Sequence, residues 1–135
     1  MSVVRSERAL SEMEFLHNAR ELQKFTIQKC VNTIPKRYTF FIANKLVDSA
    51  YAVYANVKKG NSIYPTNVDE AKLRIKFFLL ANAELQNLVS QIELAHEIVQ
   101  FDTKILKEWS ALINKEIILV RAVIKKDRER FKKIK

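Results

Sequence analysis

Few residues in this chain have the type and spacing to do chemistry. Two Glu-x-x-His pairs, Glu14 with His17 and Glu93 with His96, have the spacing by which helical bundles hold paired metal ions. Such a centre also needs two further inward carboxylates. Glu116 is the only acid beside the apolar stripe of the last predicted helix, and Asp48 lies off the apolar face of the second. No metal site is expected on that supply. Cys30 is the only cysteine, so no internal disulfide is possible. It falls on an apolar helix face with no assignable general base, which makes it a small core hydrophobe rather than a nucleophile. Gly60 is the only glycine, too few for a phosphate-binding loop. Asn82 and Glu116, in or beside apolar stripes, read as register-setting or interface hydrogen-bonding groups. The expectation is a protein with no catalytic residue, metal or cofactor.

Cations form the stronger pattern. The net charge is +9, and residues 121–135 hold eight basic side chains against Asp127 and Glu129. Arg121, Lys125, Arg128 and Lys132 recur at helical spacing, with Lys126, Arg130 and Lys133 in a second row beside them. Lys72, Arg74 and Lys76 open the third predicted helix, and Lys58 and Lys59 close the second, with Lys36 and Arg37 at its other end. Lysine and arginine clusters bind phosphates by neutralising charge and releasing counterions, without reading base sequence. The plainer alternative is a solvated tail that complements a helix dipole. The helix-three cations tip the balance towards RNA or DNA as partner. The expected interface is Lys58, Lys59, Lys72, Arg74, Lys76, Arg121, Lys125, Lys126, Arg128, Arg130 and Lys132.

The elements that position these residues follow from what the chain lacks. With one glycine and two prolines, Pro35 and Pro65, it has too little turn chemistry for a sheet and must run in long helices. Ser11 to Glu14 forms a capping box, and Leu16, Ala19, Leu22, Thr26 and Cys30 carry a first helix from about residue 11 to 32. Pro35 suits the turn or the first position after it. A second helix carries Ala43, Leu46, Val47, Ala50, Val53, Tyr54 and Val57, with Gly60 placed as its C-terminal cap. Asn67 to Glu70 offers another capping box, opening a third helix through Ala71, Ile75, Phe78, Asn82, Leu85, Leu88, Ile92 and Ala95. Asp102 or Thr103 caps a fourth, which carries Ile105, Trp109, Leu112, Ile113, Ile117, Val120 and Ile124 and continues to Phe131. Short connections make sequential helices antiparallel neighbours. The expected fold is one all-α domain over residues 1–135, an up-down-up-down four-helix bundle with an arm at 1–10 and a basic tail at 127–135.

Leu73, Phe77, Leu79, Leu80, Val89 and Leu94 on the third helix, and Ile118, Leu119 and Val123 on the fourth, exceed what one inward stripe requires. They predict a subunit interface. No stretch reaches the roughly 20 apolar residues of a membrane span, and the N-terminus has no secretory apolar core. A cytoplasmic, reduced protein is expected.

The segment Asn61-Ser62-Ile63-Tyr64-Pro65-Thr66-Asn67, leading into Glu70 and a basic helix start, resembles the loop and third helix of Avd-like proteins. So does the opening from Arg8 to Ala19, RALSEMEFLHNA. These are the accessory variability determinants of diversity-generating retroelements, grouped with the four-helix-bundle proteins of ribosomal-RNA intervening sequences. The likeness runs from about Arg8 to Lys126. It implies a positively charged, barrel-like homopentamer of four-helix bundles. It further implies binding to nucleic acid and to the element's reverse transcriptase during mutagenic retrohoming, without catalysis of its own. The matching helix start carries over Lys72, Arg74 and Lys76 as binding residues.

Two other readings compete. In one, the surplus apolar faces bind a partner chain and the basic tail is incidental. In the other, the tail lies on an anionic membrane, but Ile124, Phe131 and Ile134 give it little apolar surface for that.

Overall fold

Apolar residues at three- and four-residue intervals bury one stripe of each of four α-helices. The computed structural model describes residues 13–134. The helices are α1 (Glu14–Thr33), α2 (Asn44–Asn61), α3 (Val68–Val99) and α4 (Thr103–Arg130). No strand occurs among the described residues. α1 packs on α2 and α4, and α3 packs on the same two. Short connections and this square arrangement give an up-down-up-down antiparallel bundle.

Leu22 of α1, Leu46 and Val53 of α2, Phe78, Leu85 and Leu88 of α3, and Trp109 and Val120 of α4 are fully buried along the axis. The Trp109 indole donates to Thr26 Oγ1 at 3.0 Å, and that hydroxyl donates to the Leu22 carbonyl at 2.8 Å. Phe25 and Phe101 meet the indole edge to face. Cys30 is buried, and desolvation pushes its thiol up to about 12, so it packs as a protonated hydrophobe.

Helix ends follow the local chemistry in most places. Asn67 accepts from the Glu70 N–H at 2.9 Å, while Glu70 reaches back to the Thr66 N–H and hydroxyl, both at 2.7 Å. Those bonds, the backbone one first, hold its carboxyl below the usual range. Asp102 is the N-cap of α4, accepting from the Lys104 N–H at 2.8 Å. α3 ends on Gln100 in the left-handed region, φ 59°, where glycine is the usual choice. The capping Ser11 expected for α1 lies outside the described residues.

Two expectations need correction. Gly60 is not a left-handed cap: it sits inside the last turn of α2, without positive φ. Its small size serves packing instead, since a Cβ there would stand 2.9 Å from the Phe78 ring. The entry to α2 is more than a turn at Pro35, for a 3-10 turn (Lys36–Tyr38) runs into a π-helical turn (Thr39–Ala43). The fourth helix runs on past residue 126 as expected. Asp127 is buried, α4 continues to Arg130, and half-buried Phe131 caps it. No helix among the described residues is long and apolar enough to cross a membrane.

Candidate nucleic-acid interface

The end of α2, the start of α3 and the end of α4 meet at one end of the bundle, and Arg74 joins them. Its Nε donates to Asp127 Oδ2 at 2.7 Å, and its Nη1 donates to the carbonyls of Gly60 (3.2 Å) and Ile63 (3.0 Å). The guanidinium also lies against the Phe78 and Phe131 rings, 5.2 and 6.0 Å from their centroids. Only 8% of Arg74 is exposed. Arg74 therefore leaves the expected phosphate-binding set: its donors are spent inside the protein, because a buried charge must be paired and hydrogen-bonded.

The remaining cations are drawn to this end but onto three faces. Arg121, Lys125 and Arg128 line a shallow groove of about 360 Å³ between α4 and α3, over Ile124, Leu79 and Asn82, with Glu129 at its rim. Lys72 and Lys76 lie two turns and one turn before Leu79 on the same side of α3, beyond the groove's own lining. All five of these cations are exposed. Lys126 lies three turns beyond Lys115, whose ammonium pairs with Glu14 of α1 at 3.0 Å. That places Lys126 on the α1 side, away from the groove. Arg130 sits 3.7 Å from Asp127 Oδ1 and stacks on Phe131 at 4.6 Å. Lys58 and Lys59 stand over the Tyr54 and Phe77 rings on the α2 side, and Lys132 is exposed in the final turn. The structure thus gathers Arg121, Lys125 and Arg128 on one groove, sets Lys72 and Lys76 in helical phase with its α3 edge, and separates the rest.

The groups considered for metal or nucleophilic chemistry stay apart. Glu14 is paired with Lys115, and His96 Nδ1 accepts from the Phe101 N–H at 3.0 Å while its ring stacks on Phe101. Among the described residues no three His, Cys, Asp or Glu side chains are placed to hold a metal ion. Glu116 is fully buried between α1 and α4, where Asn18 Nδ2 donates to its Oε1 at 3.1 Å and to the Leu112 carbonyl at 3.0 Å. Its Oε2 has no partner, and neither does the buried Oδ1 of Asn82. Burial raises the Glu116 carboxyl to about 8 despite the Asn18 bond and the nearby Lys115.

Of the surplus apolar side chains, Leu73, Leu79, Leu80, Leu94 and Ile118 are exposed, while Phe77, Val89, Leu119 and Val123 are half-buried. Sequence reasoning missed Phe40 and Phe41, which stand 78% and 75% exposed on the π-helical turn. Their signal was an apolar pair five and six residues after Pro35, outside the helical stripe. Against models of known protein families and against curated protein sequences, the chain has no match.

Proposed function

We propose that the protein is a non-catalytic, basic accessory protein that binds nucleic acid through the α3–α4 groove. The observation that carries this reading is the groove lined by the exposed cations Arg121, Lys125 and Arg128, with exposed Lys72 and Lys76 in helical phase with its α3 edge. Phosphates fit such an edge without base recognition, so the binding is expected to be sequence-tolerant. The resemblance of the Asn61–Asn67 loop and the helix after it adds a biological setting: an assembly of several copies that partners a reverse transcriptase. The exposed leucines of α3 supply an apolar surface for such an assembly. They also support the second reading, a protein-interaction adaptor.

Salt separates the two. Binding of a short RNA or DNA should fall steeply with ionic strength, at a slope near −0.7 per neutralised phosphate for single strands and about −0.9 for duplex DNA. Changing Lys72, Lys76, Lys125 and Arg128 to Gln should flatten the slope by about 3–4 and weaken binding by orders of magnitude. All four side chains are exposed and outside the Arg74–Asp127 pair, so the fold should be retained. Binding that is absent in low salt, or that survives the quadruple change, would leave the adaptor reading in its place.

A further inference from the structure

The end of the bundle opposite the groove carries an unexplained aromatic feature. Ile34 and Ile42 are buried and Tyr38 packs against the core, which pins the chain between α1 and α2. The π-helical turn between these anchors points Phe40 and Phe41 outward. Burying a phenylalanine ring is worth about 1.5–3 kcal/mol relative to leaving it in water. This turn forgoes that gain twice at adjacent positions. π-Helical turns are frequent at functional sites for this kind of reason: they break the helical phase to present particular side chains.

The charge around the pair indicates what would cover it. Lys36, Arg37 and Lys45 are exposed on the same short segment, and no acidic residue lies in the sequence between Glu21 and Asp48. The Arg37 guanidinium lies over the Tyr38 ring, 4.9 Å from its centroid. While Glu97 and Asp102 stand on the α3–α4 connection at the same end of the bundle, exposed rings on a segment whose charged residues are all cations suit a polyanion that has flat apolar faces. Single-stranded nucleic acid has both, because unpaired bases stack on aromatic side chains while the backbone meets lysine and arginine. Consecutive residues of such a turn diverge by roughly 80–100°, so the two rings make two separate platforms. An anionic membrane is the competing occupant, but two rings on one turn are a small anchor beside the amphipathic faces that hold helices at bilayers.

We infer that the Phe40–Phe41 turn is a base-stacking site for single-stranded nucleic acid, set apart from the phosphate-binding groove. This rests on the nucleic-acid reading above and adds a preference for single strands. Asn87 of α3 bonds Ser49 of α2, which fixes the level of the two helices. Counting from that bond in opposite directions, the aromatic turn and Leu79 in the groove lie roughly 25 Å apart along the axis. One strand engaging both sites binds them multivalently.

The test compares wild type, the Phe40→Ala/Phe41→Ala variant and the groove variant on an unstructured oligodeoxythymidylate, on a duplex of equal length and on phosphatidylserine vesicles. The aromatic variant should lose roughly tenfold to a hundredfold in single-strand affinity for each platform used. Its duplex affinity, salt slope and thermal midpoint should match wild type, since both rings are exposed. Unchanged single-strand binding in this variant overturns the inference, whether or not the groove variant has lost binding. Vesicle binding that disappears in it while single-strand binding persists overturns the inference in favour of a membrane contact. If wild type binds neither nucleic acid, the groove reading and this one fail together.

Discussion

Asp127→Ala is expected to destabilise the fold by about 3–5 kcal/mol, because it leaves the Arg74 guanidinium buried without its counter-charge. Both side chains of the pair are less than a tenth exposed, so water cannot take over the lost bond. The damage should spread beyond α4. Arg74 also holds the carbonyls of Gly60 and Ile63, and so ties the end of α2 and the following loop to the same point. Arg74→Met combined with Asp127→Leu should recover most of the loss, since replacing a buried pair by apolar groups of similar volume is often close to neutral. Urea unfolding followed by circular dichroism measures all three proteins. A single Asp127 variant within about 1 kcal/mol of wild type would mean that the pair tolerates solvent.

The second large effect is a gain. Glu116 is fully buried, and its carboxyl is raised from 4.5 to about 8. Between those values the unfolded chain has released a proton that the folded chain keeps. Stability is therefore fully present below about pH 4.5, falls as pH rises, and levels off above about pH 8. Each unit of that interval is worth about 1.4 kcal/mol. Glu116→Gln retains an acceptor for Asn18 and removes the titration. It should raise stability at neutral pH by about 2–3 kcal/mol and flatten the profile between pH 5 and 8. Unfolding midpoints across that range test it, and parallel profiles for the two proteins would show that Glu116 does not carry the linkage.

These two sites also mark where sequence was readable. The four stripes and their order could be read because apolar residues at helical spacing have few other uses, and the Asn67 and Asp102 caps because their side chains satisfy amides that a helix leaves free. Arg74 was misread because its neighbours Lys72 and Lys76 are surface cations, and charge alone suggested a cluster of three. Spacing held the correction: Arg74 lies in phase with Ala71 and Phe78, and Asp127 with Val120 and Ile124, all buried. Two opposite charges in core register on facing helices read as a pair. Gly60 misled differently, since a glycine near a helix end suits either a left-handed cap or a close contact, and only the position of the Phe78 ring distinguishes them. The division of the basic rows among groove, α1 side and α2 side depends on helix rotation, which spacing on a single helix cannot supply.

The position of Trp109 bears on how the molecule reports on itself. The single indole is fully buried, held by Thr26 and closed in by Phe25 and Phe101. It lines neither the groove nor the aromatic turn. Its fluorescence is therefore an internal gauge of packing: red-shifted when the core opens to water, and blind to a ligand resting on either end.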